Sequence, residues 1–359
     1  MPLVAHNALP TFEKLHKEGQ TVLSVDKALN QDIRDLHIGL LNIMPDTALA
    51  ATERQFMRLI GKSNPIAQFY VHLFTLPELK RSEDAQQHID AYYESFEDIQ
   101  SRGLDSLIIT GAAPQSESLP NEPFWSPLFE VIDWAHENVT STLCSCLTTH
   151  AILQGRYQQM RKPLVQKAWG VFPHWVTNKE HPLVSDINTH FDVPHSRWNA
   201  VTRSQFDAAG LHTLVESETG VHLATSPDGI RTVFFQGHPE YDTISLLKEY
   251  KREAQRYARG EVEMPPAFPE HYFKTQEKAI LTEYIGRLTD ARHDKHKAIP
   301  DFPETKIARR LQNTWTDTAT AVIGNWMGCV YQLTHRERKK PFMDGINPNN
   351  PLKLPFVAE

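Results

Sequence analysis

The chain has 359 residues, 40% of them hydrophobic and 23% charged, with a formal net charge of -7, which allows one large domain or two ordinary ones. The acidic balance leaves no basic excess for nucleic acid or anionic lipid, and no apolar run approaches the ~20 residues that span a bilayer. The N-terminus, MPLVAHNALP, lacks a signal-peptide pattern, and three cysteines make no disulfide framework, so a cytoplasmic setting is expected.

The chain opens with a poorly periodic segment to about Asn30. LHIGLLNIMP (Leu36–Pro45) reads as a strand, and TALAATERQFMRLIGK after it as a helix, with Leu49, Phe56, Leu59 and Ile60 near helical spacing. AQFYVHLFTL (Ala67–Leu76) is a second strand, and LDSLIITGAAP (Leu104–Pro114) a buried third. FWSPLFEVIDWAHENV is an amphipathic helix, TSTLCSC a short strand, and LTTHAILQGRYQQM a helix. This alternation predicts a parallel sheet covered on both faces. FDVPHSRWNAV, HTLVESETG, VHLATSPDG and IRTVFFQGHPE then give short strands, with Pro227–Gly229 as a hairpin turn. From Tyr241 the pattern is helical again, interrupted by the proline-rich EMPPAFPEHYF. The charged, then Pro/Asn-rich segment from Thr334 reads as a loosely ordered tail.

Cys144 and Cys146 stand one residue apart at the end of an apolar run. Zinc favours further Cys or His at ligand spacing, and dithiol redox chemistry favours C-x-x-C, so no metal site is expected here. Cys144 fits a packed thiol in a buried strand. Cys146 falls between strand and helix, where backbone N–H groups and the helix dipole stabilise a thiolate or an oxyanion. In FFQGHPEYD an apolar strand ends at Gly237, and His238 follows. Glu240 lies two residues on and faces the same way along an extended chain, so it can orient the imidazole as a base. In an α/β sheet the carboxyl ends of the strands share one crevice, where Cys146 and His238 can meet.

Strand, cysteine elbow, helix and a late His-x-Glu follow the order of class I glutamine amidotransferases, although CSCLT lacks the glycines that usually flank their cysteine. Over nearly its whole length the sequence resembles the homoserine O-acyltransferases (homoserine trans-succinylases), through LNIMP, ATERQF, FEDIQ, LIITGA, STLCSC, GVF, PHSRW, GHPEYD and NWMGCVYQLT. The resemblance implies an α/β fold with a mostly parallel sheet flanked by helices, class I glutamine amidotransferase-like, with a helical C-terminal extension. It divides the chain into a catalytic domain with an N-terminal arm over residues 1–262, a helical extension over 263–333 packing on it, and the tail 334–359.

It further implies Cys146 as acyl-thioester nucleophile, His238 as base and Glu240 as its orienting carboxylate. Arg252 falls where the family clamps the amino-acid carboxylate, and Lys167 and Ser196 fall on other substrate-binding positions; Arg197 is a further charged candidate in the same loop. Without the family, Arg252 and Lys167 read as solvated charges and Ser196 as a turn residue. Gln115 falls where the family's glycine goes with succinyl and its glutamate with acetyl donors. Gln lacks the charge that would repel a succinyl carboxylate. Asp46 and Thr47 stand where many members carry lysines after LNxMP. The implied reaction is ping-pong acyl transfer from acyl-CoA to L-homoserine in methionine biosynthesis, with acyl-CoA as co-substrate, no bound cofactor, small-molecule partners and a homodimeric state. Acetyl-CoA as donor, L-serine as acceptor, or a glutamine amidotransferase-like hydrolase would use the same residues.

Overall fold

The computed structural model describes residues 2–294 and 296–357. Its strands are β1 (Leu3–Ala5), β2 (Val22–Ser24), β3 (Asp35–Leu41), β4 (Gln68–Phe74), β5 (Ser106–Ile109), β6 (Ser141–Ser145), β7 (Lys162–Val176), β8 (His190–Ala200), β9 (His212–Ser217), β10 (Gly220–Thr225) and β11 (Thr232–Phe235). They form one eleven-stranded sheet in the order β2-β1-β4-β3-β5-β6-β11-β10-β9-β7-β8. From β2 through β11 each neighbouring pair is parallel; from β11 through β8 each is antiparallel. The sheet is thus a parallel α/β half joined to an antiparallel half.

Alternation along the central strands builds a core on each face. Ile108 and Leu143 point to the side covered by the helices Asp46–Ser63 and Thr316–Leu333. Leu107, Ile109 and Cys144 point to the side covered by the helices Trp125–Asn138 and Leu147–Tyr157. The buried Trp326 indole donates to Ser141 Oγ at 2.7 Å, fixing the late helix to β6. The helices Ser245–Ala258 and Thr275–His293 pack on one another through Ala254, Tyr257, Tyr284 and Leu288.

Three regions differ from the sequence-based expectations. The first thirty residues carry β1 and β2, which extend the parallel sheet at its edge; strands of three residues are too short to show a period. The fifteen-residue β7 went unrecognised because Pro163 and Pro173 interrupt its pattern, with an irregular register between Pro163 and Ala168. The segment from Thr334 lacks regular structure but is pinned rather than loose. Thr334 Oγ1 donates to Asp105 at 2.8 Å, Arg338 pairs with Asp35 and Asp105, and Leu354 is 4% exposed.

Gly103 is the contact point of that strap. It has φ 78°, and a Cβ there would lie 2.3 Å from the Arg338 carbonyl oxygen. Gly103→Ala is expected to destabilise the fold by about 1–3 kcal/mol, read by urea denaturation, and to expose residues 334–357 to limited proteolysis.

Candidate active site

The parallel pair β6–β11 sets the site. Ser145 lies opposite Phe235, so the chain leaves both strands at the same level. Cys146 follows β6 immediately, with φ 50° and ψ -106°, as the N-cap of the helix Leu147–Tyr157. A non-glycine residue in such a conformation persists only where its surroundings hold it. Here the Cys146 N–H donates to the Phe235 carbonyl at 2.7 Å, and the Thr149 hydroxyl lies on the carbonyls of Cys144 (3.0 Å) and Phe235 (2.9 Å). Thr148 Oγ1 donates to the Thr110 carbonyl at 2.6 Å, drawing the end of β5 to the elbow.

His238 stands just beyond β11. Its N–H is held by the Pro194 carbonyl of β8 at 2.9 Å, and Nδ1 meets Glu240 Oε1 at 2.8 Å. The other ring nitrogen is left free for Cys146, whose charge raises His238. Burial disfavours charge on His238, but Glu240 and a Cys146 thiolate outweigh it and hold the imidazole well above its ordinary value. Arg197 and Arg161 also feel the charge of Cys146. Arg197 is 4% exposed and donates to Thr219 O, Asn199 O and His195 Nδ1, none of them a carboxylate. Cys144, by contrast, is fully buried and its thiol is pushed up by desolvation.

Gly237 is required between β11 and His238, because a Cβ there would come within 2.5 Å of Val193 and 2.8 Å of His222. The buried His195 and His222 behind it are held well below their ordinary values by desolvation and stay neutral.

A second polar group adjoins the dyad, and its centre is a residue the sequence reading passed over. Glu249, on the helix Ser245–Ala258, accepts from Ser196 Oγ at 2.6 Å and Tyr241 OH at 2.8 Å, and pairs with Lys167 Nζ at 3.4 Å. Desolvation works against its charge, but Lys167, Ser196 and Tyr241 lower it below the usual carboxylate value. Lys167 itself is lowered by burial and sits 4.5 Å over the Trp169 ring. Tyr241 stacks on His238 with ring centroids 4.3 Å apart, so Glu249 connects Lys167 and Ser196 to the dyad. The available signal was position: Tyr241 directly follows Glu240, and Glu249 lies one helical turn before Arg252.

Arg252 is on the same helix but 55% exposed, with Nε 3.4 Å from Glu253. Gln115 is exposed in the loop after β5, its amide on its own Ala113 carbonyl at 3.3 Å. Asp46 accepts from Arg81 Nη1 (3.2 Å) and the Ser82 N–H (2.7 Å). Arg81 also donates to the Met44 carbonyl at 2.6 Å, so an arginine from another segment supplies the cation beside the LNIMP turn. Among the described residues, no helix is long and apolar enough to cross a membrane.

A cysteine elbow at the end of a parallel strand, with a His–Glu pair beyond the neighbouring strand, defines an α/β protein with a candidate cysteine–histidine site. A glutamine amidotransferase from Thermotoga maritima (10% identity, TM-score 0.43, covering 83% of this chain and 98% of that one) and one from Methylobacillus flagellatus (12%, 0.45, 83% and 95%) are distant structural neighbours. The family model described as homoserine O-succinyltransferase matches residues 2–336. Proteins of that name from Allochromatium vinosum and Thiobacillus denitrificans are each 61% identical over 355 residues, covering 99% of this chain and 99% and 100% of theirs. One from Cardiobacterium hominis is 50% identical, covering 98% of this chain and 99% of its own. The chain belongs to the homoserine O-succinyltransferase family and is an acyltransferase.

Glu240→Gln removes the anion that holds His238 protonated. The imidazolium then gives up its proton at lower pH and supports the Cys146 thiolate less at neutrality. Alkylation of Cys146 by iodoacetamide, followed by intact mass, is expected to slow severalfold at neutral pH.

Proposed function

We propose that this chain transfers the succinyl group of succinyl-CoA to the hydroxyl of L-homoserine in methionine biosynthesis, through a thioester on Cys146. The observation that carries this reading is the strained Cys146 elbow at the end of β6, beside β11 and the His238 that follows it, which is itself held by Glu240 at 2.8 Å.

In the first half-reaction the Cys146 thiolate attacks the thioester carbonyl. The carbonyl electrons move onto oxygen, where N–H groups of the first helical turn after Cys146 receive the charge; the first four N–H groups of a helix have no intrahelical partner. Collapse expels CoA, which takes the proton from the His238 imidazolium. In the second half, neutral His238 removes the proton from the homoserine hydroxyl. The alkoxide attacks the Cys146 thioester, and collapse releases O-succinylhomoserine and restores the thiolate–imidazolium pair. Glu240 steadies the charge on His238 in each step, and the Tyr241 ring covers one face of the imidazole. Arg252 binds the homoserine carboxylate, for which a guanidinium fork is suited. Lys167 and Ser196, held together by Glu249, orient the rest of the acceptor. The succinyl donor rests on the names of the relatives and on the absence of an acidic side chain at Gln115.

Incubation with succinyl-CoA is expected to add one succinyl mass, lost on adding homoserine. Cys146→Ala should show no adduct and lose on the order of 10^4-fold or more in kcat, while Cys144→Ala keeps the adduct and most of the activity. A labelled Cys146→Ala would refute the assignment. Steady-state rates with succinyl-CoA or acetyl-CoA, each with homoserine or serine, should be highest for succinyl-CoA with homoserine. A higher acetyl or serine rate, or ammonia release from glutamine, would replace the reading with that alternative.

A further inference from the structure

A second cluster of chemistry-bearing residues lies on β1, β4 and the segment after the helix Glu83–Tyr92, none of which contributes to the crevice. His6, just past β1, His72 on β4 and Glu94 each offer one ligand atom, and the three atoms lie within 4.8 Å of one another. The surrounding hydrogen bonds fix which atoms carry protons. His6 Nδ1 lies 3.1 Å from the Val4 carbonyl, which only accepts, so Nδ1 carries the hydrogen and Nε2 presents a lone pair. That Nε2 is buried without a hydrogen-bond partner among the described residues. On the other side, His37 Nε2 lies 2.9 Å from Asp35, and His37 Nδ1 lies 2.8 Å from His72 Nε2. With Asp35 ionised, His37 donates to it and a neutral His37 accepts from His72, leaving a lone pair on His72 Nδ1. This carboxylate–imidazole–imidazole chain is the support that metal-bound histidines use to fix tautomer and raise basicity.

His72 Nδ1 and Glu94 Oε1 then face each other at 2.6 Å as two acceptors, an arrangement that calls for a cation. Arg102 supplies one here: its Nη1 lies 2.7 Å from His72 Nδ1 and also contacts Glu94. Arg102 ends the helix Phe96–Arg102, and its side chain is 39% exposed, so it can withdraw into solvent.

We propose that His6, His72 and Glu94 bind a first-row divalent metal ion of the zinc class, with Asp35 and His37 as its supporting chain and Arg102 as the cation it displaces. Two imidazoles and a carboxylate suit such an ion and leave a fourth position open. A tetrahedral site with bonds of about 2.0–2.2 Å needs ligand atoms roughly 3.3–3.6 Å apart, so Glu94 moves back from His72 and His6 closes in. The ion ties the end of the short strand β1 to β4, adding to their brief pairing at Leu3.

The test uses Zn2+ and Co2+ on the full chain with Cys146→Ser, which removes the competing thiolate. One equivalent of zinc should stay with the protein through gel filtration, measured by elemental mass spectrometry, and Co2+ should give ligand-field bands without thiolate charge transfer. His6→Ala and Glu94→Gln should each weaken binding at least tenfold while keeping the metal-free melting temperature within a few degrees. Arg102→Gln should bind as tightly or more tightly, and zinc should protect the first thirty residues from proteolysis. Retention of zinc by Glu94→Gln, loss of zinc in Arg102→Gln, or no bound zinc in the Cys146→Ser chain would overturn the proposal.

Discussion

The parallel pairing of β6 with β11 is the constraint on which the candidate site depends. It ends two strands at one level, so residues 146 and 238 emerge side by side although the chain between them folds the whole antiparallel half of the sheet. A slip of one residue would turn Cys144 out of the core and the elbow away from His238. The positive φ of Cys146 costs about 1–3 kcal/mol. The bonds from its own N–H and from the Thr149 hydroxyl to the carbonyls of Cys144 and Phe235 offset that cost, at about 0.5–1.5 kcal/mol each. The same bonds tie the elbow to the strand that carries the base, so nucleophile and base move together.

Charge organises the site as strictly as pairing does. Glu240 is buried against His238 at 2.8 Å and, with the charge of Cys146, holds the imidazole up against its burial. In a low-dielectric crevice such charges act more strongly than in water. Neutral His195 and His222 lie behind Gly237, so the imidazole that carries charge is the one with a carboxylate. Asp46 would weaken the positive field at the LNIMP turn, but Arg81 pairs with it and holds the Met44 carbonyl.

Much of this was legible in the sequence. The strands β3, β4, β5 and β6 announced themselves as apolar runs, and the junction at Cys146 and the GHPE segment pointed to the elbow and to the His238–Glu240 pair. Their meeting followed from strand ends sharing a crevice. Residues whose role comes from partners distant in sequence were not legible. Glu249 reads as one charge among many in KEYKREAQ until Ser196, Lys167 and Tyr241 are seen around it. Arg81 lies far along the chain from the turn it supports. The His6, His72 and Glu94 group has no ligand spacing at all, because its members belong to three separate elements. The tail misled for the converse reason: its polar composition suits solvent, yet its charges are matched by Asp35 and Asp105 at the start of β3 and β5.

The C-terminal extension completes the logic, because the loop that carries the base has little regular structure of its own. Between Gly237 and Ser245 the chain runs through His238, Glu240 and Tyr241 without a strand or helix to hold it. Arg54 and Arg58 grip Asp242 from the helix Asp46–Ser63. The Trp315 indole donates to the Tyr241 carbonyl at 2.9 Å, and Tyr272 OH donates to the Thr243 carbonyl at 2.6 Å. Two of these three clamps come from the extension. A loop held on its own would sample other conformations and separate the imidazole from the sulfur, and even a displacement of ~1 Å can cost a reaction about 10^2-fold. Tyr272 and Trp315, each just ahead of a late helix, therefore fix the carbonyls on either side of Asp242 and, through Tyr241 stacked on the ring, the plane of His238.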